Sequence, residues 1–233
     1  MINSLYDKFK PWSAKGSVFI ISDTHFDDVD CKFMDPNWIT PTEHMNILKQ
    51  DIHKNDTLIH LGDVGNASYL DELKCYKVLI TGNHDVLSKV ASHFDEVYTG
   101  PLFIADRLVL SHEPLEGLEN FAMNIHGHDH GHTFRHNHVN LAANVYHFRL
   151  FHLGPAIKAG LLSNIPNYHR VTIDKATTLG KLEELIKNNP IVTIMSDNKT
   201  FGIPEACKHC SSHPTNGGSG ICNCTLGLPK ITC

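Results

Sequence analysis

The stretch VFIISDTHF, residues 18–26, decides the fold because it joins a hydrophobic strand directly to a group of polar residues. Its first part, Val18–Ser22, is a short run of β-branched and aromatic residues, which predicts a buried strand. Asp23, Thr24 and His25 follow at once. In open α/β sheets, sites form beyond the carboxyl ends of the strands. The stretch therefore predicts both a strand and a candidate site at its end.

The same arrangement recurs twice further along the chain. The segment TLIHL (57–61) predicts a strand that ends at Gly-Asp (62–63), and KVLIT (77–81) predicts one that ends at GNHD (82–85). Between the first two strands, Thr40 as N-cap, a proline at position 41 and a glutamate at position 43 predict a helix over 41–54. A short helix near 69–73 follows. This alternation of strands and helices is typical of a parallel α/β sheet.

The later part of the chain has a different pattern. Segments 102–104 and 107–111 flank Ala105-Asp106 and predict a hairpin, and 123–126 and 139–143 predict two more strands. We therefore expect a second sheet, with antiparallel pairs, packed on the first. The predicted fold class is α/β, with two packed mixed β-sheets flanked by helices and a small Cys-rich C-terminal extension.

Composition changes toward the C-terminus, and three regions are expected: a core over 1–175, a helix and strand extension over 176–200, and a tail over 201–233. Five of the 7 cysteines lie in this tail. The spacing C-x₂-C followed by C-x-C is compatible with one structural zinc site, with disulfide pairing as the alternative. The four candidate zinc ligands are Cys207, Cys210, Cys222 and Cys224.

Composition also excludes several classes of protein. With 233 residues, 41% hydrophobic and 19% charged, the chain is not a disordered acidic or basic polymer. It has no apolar run of the ~20 residues that cross a bilayer, and residues 1–10 lack a signal-peptide pattern. We expect a cytoplasmic protein without a membrane partner. A net charge of −5 and the lack of a Lys/Arg block disfavour general binding to nucleic acid; the oligomeric state is not determined.

The 18 histidines are numerous enough to include several metal ligands. Asp, Asn and His residues stand at five successive predicted strand ends, which packing alone does not explain. They occur in the segments DTH (23–25), GD (62–63), GNHD (82–85), His112 and GHDH (127–130).

These segments resemble the signature of the calcineurin-like metallophosphoesterase superfamily, most closely its small bacterial and phage members. The resemblance covers about residues 17–155 and includes HLGD (60–63) and HGHDHG (126–131). The sequence departs from the pattern at Asp27-Asp28, where the small members usually have Gly-His. This departure affects a loop that the family uses for substrate contact and none of the metal ligands.

The resemblance implies two divalent metal ions (Mn, Fe, Ni or Zn) about 4 Å apart. Asp63 is expected to bridge them because it is an anionic residue that follows a glycine at a strand end. By resemblance, the other ligands are Asp23, His25 and His130 at the first site, and Asn83, His112 and His128 at the second. If these segments are extended, residues i and i+2 in Asp-x-His and His-x-His point to one side of the chain.

The resemblance also implies that His84 is a catalytic residue rather than a metal ligand, placed beside the phosphoryl group to stabilise charge or to protonate the leaving oxygen. Asp85 is expected either to hold the His84 imidazole in its protonated form or to cap a helix over 86–91. His60 is expected to pack in the core or to support the site, and His126 and His132 to support it or to face substrate.

The expected activity is hydrolysis of a phosphodiester or phosphomonoester, of a small nucleotide type, by a hydroxide that bridges the two metals. Two alternatives stay open. One is a phosphoesterase that the zinc tail recruits to nucleic acid, and the other is a non-catalytic interaction scaffold on the same fold.

Overall fold

The computed structural model describes Trp12, Ala14 and residues 16–165, except positions 106, 119, 120 and 132. The predicted extension over 176–200 and the predicted zinc site at Cys207, Cys210, Cys222 and Cys224 lie outside the described residues. So do His132 and the end of the predicted core.

The first sheet has five strands in the order β4-β3-β2-β1-β9. Strands β1 to β4 run parallel to one another, and β9 pairs antiparallel with β1. The bounds are Val18–Ile21 for β1, Thr57–His60 for β2, Tyr76–Ile80 for β3, Glu96–Tyr98 for β4 and Phe151–His152 for β9. The three strands predicted from hydrophobic runs are confirmed within a residue or two at each end.

The second sheet has four strands in the order β5-β6-β7-β8. Their bounds are Leu102–Ala105, Leu108–Leu110, Met123–His126 and His138–Asn140. The hairpin β5–β6 is antiparallel as expected, whereas β6, β7 and β8 are parallel to one another, so the sheet is mixed, as predicted, and its antiparallel pairing is confined to the hairpin. The chain crosses from the end of β6 back to the start of β7, and again from β7 to β8, which gives the three strands one direction.

Helices flank the two sheets. They are α1 (Cys31–Met34), α2 (Pro41–Asp51), α3 (Leu87–Val90) and α4 (Leu153–Lys158), together with 3₁₀ turns at Ala67–Glu72 and Ala91–His93. None of the helices in the described part of the chain is long and apolar enough to cross a membrane.

The capping box predicted for the long helix α2 is present. The Glu43 amide donates to Thr40 Oγ1 at 3.3 Å, and the Thr40 amide donates to Glu43 Oε2 at 2.8 Å. Both side chains therefore satisfy amides that the first turn of a helix leaves unpaired.

Strand β1 separates two hydrophobic cores. Val18 and Ile20 face the core between the two sheets, while Phe19 and Ile21 face a second core formed with α2. All four residues are buried, as expected for a parallel strand covered on both faces. A bridge between Ser22 and Ala142 joins the sheets beyond the end of β1. The fold is therefore α/β with two mixed sheets flanked by helices, and the ends of β1, β2, β3, β6 and β7 meet at one place.

Candidate metal centre

Two groups of three side chains meet beyond these strand ends. The first group is Asp23, His25 and His130, and the second is Asp63, His112 and His128. Within each group, the atoms that could bind a metal lie within 4.8 Å of one another. In the first group, Asp23 Oδ1 is 3.9 Å from His25 Nε2 and 3.7 Å from His130 Nε2. The structure thus brings together the residues that the resemblance assigned to each site.

Asp63 lies between the two groups. Its Oδ2 atom is 3.8 Å from His25 Nε2 in the first group and 3.3 Å from His112 Nε2 in the second. One carboxylate therefore faces both groups, which is the placement expected of a bridging ligand.

Asn83 joins the second group through its side-chain oxygen. Its Oδ1 atom lies 2.8 Å from His112 Nε2 and 3.1 Å from His128 Nδ1. All seven predicted ligands are therefore in one cluster of carboxylate, imidazole and amide donors.

In three of the histidines, the Nδ1 atom lies close to an oxygen atom outside the cluster. His25 Nδ1 faces Asp28 Oδ2 at 3.2 Å, and His130 Nδ1 faces Asn144 Oδ1 at 3.0 Å. His112 Nδ1 lies 2.9 Å from the Leu61 carbonyl oxygen. An acceptor at Nδ1 keeps a proton there, so Nε2, which faces the cluster, is the nitrogen that would bind a metal in place of a proton. This is the arrangement found around metal-binding histidines.

Two atoms at the centre of the first group have no hydrogen-bond partner among the described residues. Asp23 Oδ1 and His25 Nε2 are both buried and unpaired, although they face each other. A buried carboxylate oxygen without a donor is costly. A divalent cation among Asp23, His25 and His130 would satisfy both atoms, so the residues fit a metal at this place.

The pKa values reflect this crowding of ionisable groups. Burial raises the pKa of Asp23 and lowers the pKa of His25. Burial alone would also raise the pKa of Asp63, but the hydrogen bond and the charge of His112, with the amide of His84, outweigh it and hold the pKa at about 2. Asp63 is therefore an anion at neutral pH, as a bridging ligand must be.

The backbone that carries the ligands is left-handed at four of the seven positions. The φ angles are +54° at Asp23, +43° at His25, +55° at Asp63 and +65° at His128. Each non-glycine residue in this region costs on the order of 1–3 kcal/mol, and such residues cluster at functional sites. The expectation that extended segments direct residues i and i+2 to one side is wrong here. The ligands converge because tight left-handed turns present them.

Glycines allow the loops to come this close. Gly62 has a φ of +102°, and a Cβ on it would lie 2.3 Å from the Gly82 nitrogen. A Cβ on Gly127 would lie 2.1 Å from Asp23 Oδ2. The amide of His128, next in the chain, donates to that same oxygen at 2.9 Å. A side chain at either glycine would separate loops that the ligands need in contact.

His84 lies beside the cluster and belongs to neither group of ligands. Its amide donates to Asp63 Oδ1 at 2.9 Å, and its exposed ring lies 5.9 Å from the ring of His25. The imidazole is therefore at the open side of the centre, where it can reach a bound molecule.

Asp85 has a different role from the two that the sequence suggested. Its carboxylate accepts three backbone amides, those of Asp63 and Gly82 at 2.9 Å and that of Val64 at 3.0 Å. The N-cap of α3 is Val86 and has no side-chain hydrogen bond, so the capping expectation is wrong. The described hydrogen bonds of Asp85 all go to backbone amides rather than to the His84 imidazole. Asp85 ties the loop after β2 to the loop after β3.

We expect Asp85→Ala to lower the free energy of unfolding by about 2–4 kcal/mol, because three amides lose a charged acceptor in a partly buried place. Chemical denaturation monitored by circular dichroism measures this. Asp71→Ala, at an exposed position whose carboxylate bonds His93, is the control. A loss no larger than that of the control would contradict the clamping role.

Other histidines near the site are buried and support it. Burial lowers the pKa of His60 to about 3 and that of His126 to about 4. His126 Nδ1 lies 2.8 Å from the Gly127 carbonyl oxygen, so it bonds the loop that carries His128.

Sequence reasoning missed two residues that orient ligands, Asp28 and Asn144. The polar character of Asp28 was visible only as a departure from the family pattern. No motif marks Asn144, which is 14 positions from His130 and reaches it through the fold. Trp38 was also missed; its ring lies 5.9 Å from the ring of His25 and 5.6 Å from that of His130, so it walls one side of the first group.

No family model and no curated protein match the chain. Among solved structures, it is similar to the crystal structure of AQ665, a protein of unknown function from Aquifex aeolicus, with a TM-score of 0.53 and 22% sequence identity. The alignment covers 61% of this chain and 98% of AQ665. At this identity the likeness shows a shared fold and carries nothing about activity.

Proposed function

We propose that this protein is a metal-dependent phosphoesterase with two divalent cations in the cluster around Asp63. One observation carries the proposal: the Asp63 carboxylate faces both groups of ligand atoms. The histidines whose Nδ1 atom contacts an acceptor also direct their Nε2 atom into the cluster. The proposed ligands are Asp23, His25, Asp63, Asn83, His112, His128 and His130.

The mixture of donors suits the chemistry of phosphoester hydrolysis. When bound, two such cations lower the pKa of a coordinated water and neutralise charge on the phosphoryl oxygens. Mn, Fe, Ni and Zn all accept carboxylate, imidazole and amide ligands, so the donor set does not select among them.

The chain's own residues supply the rest. We assign to the exposed imidazole of His84 the donation of a proton to the leaving oxygen or of a hydrogen bond to a phosphoryl oxygen. Asp85 holds the loops of Asp63 and His84 together by accepting amides from the first loop and from Gly82. We propose a small phosphoester of nucleotide type as the substrate.

The test combines metal binding with an activity panel. Metal-free protein is titrated with Mn²⁺ by calorimetry, and the loaded protein is assayed with bis-p-nitrophenyl phosphate, p-nitrophenyl phosphate, and 2′,3′- and 3′,5′-cyclic nucleotides. Two Mn²⁺ per core and turnover of at least one ester are expected. The full chain carries a further metal if the Cys-rich tail binds zinc, so total metal is identified by mass spectrometry.

Two outcomes would contradict the proposal. Failure to bind any of Mn²⁺, Fe²⁺, Ni²⁺ or Zn²⁺ at the cluster would exclude the metal centre. Tight binding of two metals without hydrolysis of any ester in the panel would instead favour an interaction scaffold on this fold.

The orienting role of Asp28 gives a separate prediction. Asp28→Ala removes the carboxylate 3.2 Å behind His25 Nδ1, and removal of such a partner typically weakens metal affinity ~10–100-fold. We expect this loss at one of the two sites, measured by Mn²⁺ calorimetry. Asp27→Ala is the neighbouring control because Asp27 bonds Asn66 and Tyr69 instead. Equal affinity in the two variants would contradict the prediction.

A further inference from the structure

We propose that His60 is a positioning residue that locks the loop of Asp23 and His25 to the loop of Asp63 through a directed hydrogen-bond relay. The relay runs from the Gly62 amide through the His60 ring and the Thr24 hydroxyl to the Val64 carbonyl. Its consequence for metal binding rests on the proposed function, whereas the protonation pattern of the His60 ring does not.

The direction of each bond follows from its fixed donors. The Gly62 amide donates to His60 Nδ1 at 3.1 Å, so Nδ1 carries no proton. A neutral ring then has its proton on Nε2, which donates to Thr24 Oγ1 at 3.0 Å. The Thr24 hydroxyl in turn donates to the Val64 carbonyl oxygen at 2.9 Å. Every step has one donor and one acceptor, and no other ring tautomer satisfies all three bonds.

The relay is out of contact with solvent. The exposed fractions are 0% for His60, 1% for Thr24 and 0% for Val64. Water therefore has no access to replace a lost partner, and a broken bond leaves a buried polar group unpaired. Burial also keeps the ring neutral, since it lowers the pKa of His60 to about 3.

The residues of the relay flank the proposed ligands in the chain. Thr24 stands between Asp23 and His25, and Gly62 and Val64 stand on the two sides of Asp63. Backbone bonds already join these loops, from the Asp23 amide to the Gly62 carbonyl at 2.9 Å, from the His25 amide to the Asp63 carbonyl at 3.1 Å and from the Phe26 amide to the Val64 carbonyl at 2.9 Å.

The side-chain relay adds a connection through Thr24, the residue between Asp23 and His25, and it ends on the Val64 carbonyl that also accepts the Phe26 amide. It fixes the left-handed turns that set the 3.8 Å separation between His25 Nε2 and Asp63 Oδ2. An imidazole is suited to this place because its two nitrogens accept on one side and donate on the other.

The first measurement needs no metal. Long-range ¹H–¹⁵N correlation spectra of metal-free, ¹⁵N-histidine-labelled protein report which nitrogen of each ring carries the proton. We expect His60, assigned with the aid of His60→Gln, to show a protonated Nε2 and an unprotonated Nδ1. A proton on Nδ1, or a doubly protonated ring at neutral pH, would overturn the relay.

The second measurement links the relay to the metal ligands. Thr24→Val removes the hydroxyl at nearly constant shape, and Thr24→Ser retains it. We expect Thr24→Val to weaken Mn²⁺ binding ~10–100-fold, as for other residues that orient ligands, and Thr24→Ser to remain within about threefold of the wild type. Val139→Ala in β8, a buried residue of the core between the sheets, controls for a general loss of stability.

The outcomes separate the relay from a simple packing role. If Val139→Ala, at a comparable loss of melting temperature, weakens Mn²⁺ binding as much as Thr24→Val, or if Thr24→Val binds Mn²⁺ like the wild type, the positioning role is wrong. If the wild type itself binds no metal, the proposed function fails together with this second step. The tautomer measurement still decides whether the relay exists.

Discussion

Asp63→Asn is expected to abolish turnover and to lower metal content at both sites. Asp63 is the carboxylate that faces both groups of ligands, at 3.8 Å from His25 Nε2 and 3.3 Å from His112 Nε2. The substitution keeps the shape of the side chain but removes its charge and replaces one oxygen with a nitrogen that cannot bind a cation. Loss of a shared anion from a site of two divalent cations weakens the binding of both cations.

The measurements are metal content by mass spectrometry after gel filtration, and hydrolysis of bis-p-nitrophenyl phosphate with added Mn²⁺. Asp51→Asn makes the same chemical change at an exposed position in the last turn of α2 and is expected to behave like the wild type. Two tightly bound metals with near-normal activity in Asp63→Asn would rule out a bridging role.

Strands β1, β2 and β3 of the first sheet could be predicted because their sequence carries a strong local signal, whereas the short strands β4 and β9 were not predicted. All four residues of β1, VFII, are buried because the strand is covered on both faces, and it therefore appears in the sequence as four consecutive large apolar residues. The capping box at Thr40 is equally local, since it depends on residues three positions apart. The direction of β7 relative to β6 has no such local signal in the sequence. It depends on where the connection 111–122 returns to the sheet, and that segment has no helical periodicity to indicate a crossover.

The cluster of candidate ligands was predicted from motifs, but the reason for its convergence was not. The sequence spacing suggested extended segments, whereas Asp23, His25 and His128 have left-handed backbone. Non-glycine residues rarely adopt this conformation unless surrounding contacts impose it. Those contacts come from other loops, such as the Gly62 carbonyl that accepts the Asp23 amide. A single sequence does not show them.

Residues that orient the proposed ligands or their loops are the least predictable part of the site. Asn144 bonds His130 through its side chain, and Asp85 accepts amides from residues 21 and 22 positions earlier. No motif marks Asn144, and Asp85 stands in the GNHD segment but was expected to act on His84 or as a helix cap. The role of each depends on its tertiary placement. The sequence therefore indicates which donors a site has, while the fold determines which polar neighbours orient them.

His84→Ala is expected to lower kcat ~10²–10⁴-fold, the usual contribution of a positioned acid or base, and to leave two metals bound. The reason is the position of the imidazole. It is exposed at the open side of the cluster, outside both groups of ligand atoms, and its ring lies 5.9 Å from that of His25. The contact with Asp63 Oδ1 comes from the His84 backbone amide, which alanine keeps.

His112→Ala is the matched comparison because it removes an imidazole from inside the second group. We expect it to lose metal as well as activity, since His112 Nε2 lies 2.8 Å from Asn83 Oδ1 and 3.3 Å from Asp63 Oδ2. Metal content and kcat are measured for both variants at saturating Mn²⁺. A ligand and a proton donor act on different quantities. We therefore expect His112→Ala to lower both metal content and kcat, and His84→Ala to lower kcat while metal content stays unchanged. Metal loss in His84→Ala as large as in His112→Ala would mean that His84 is itself a ligand.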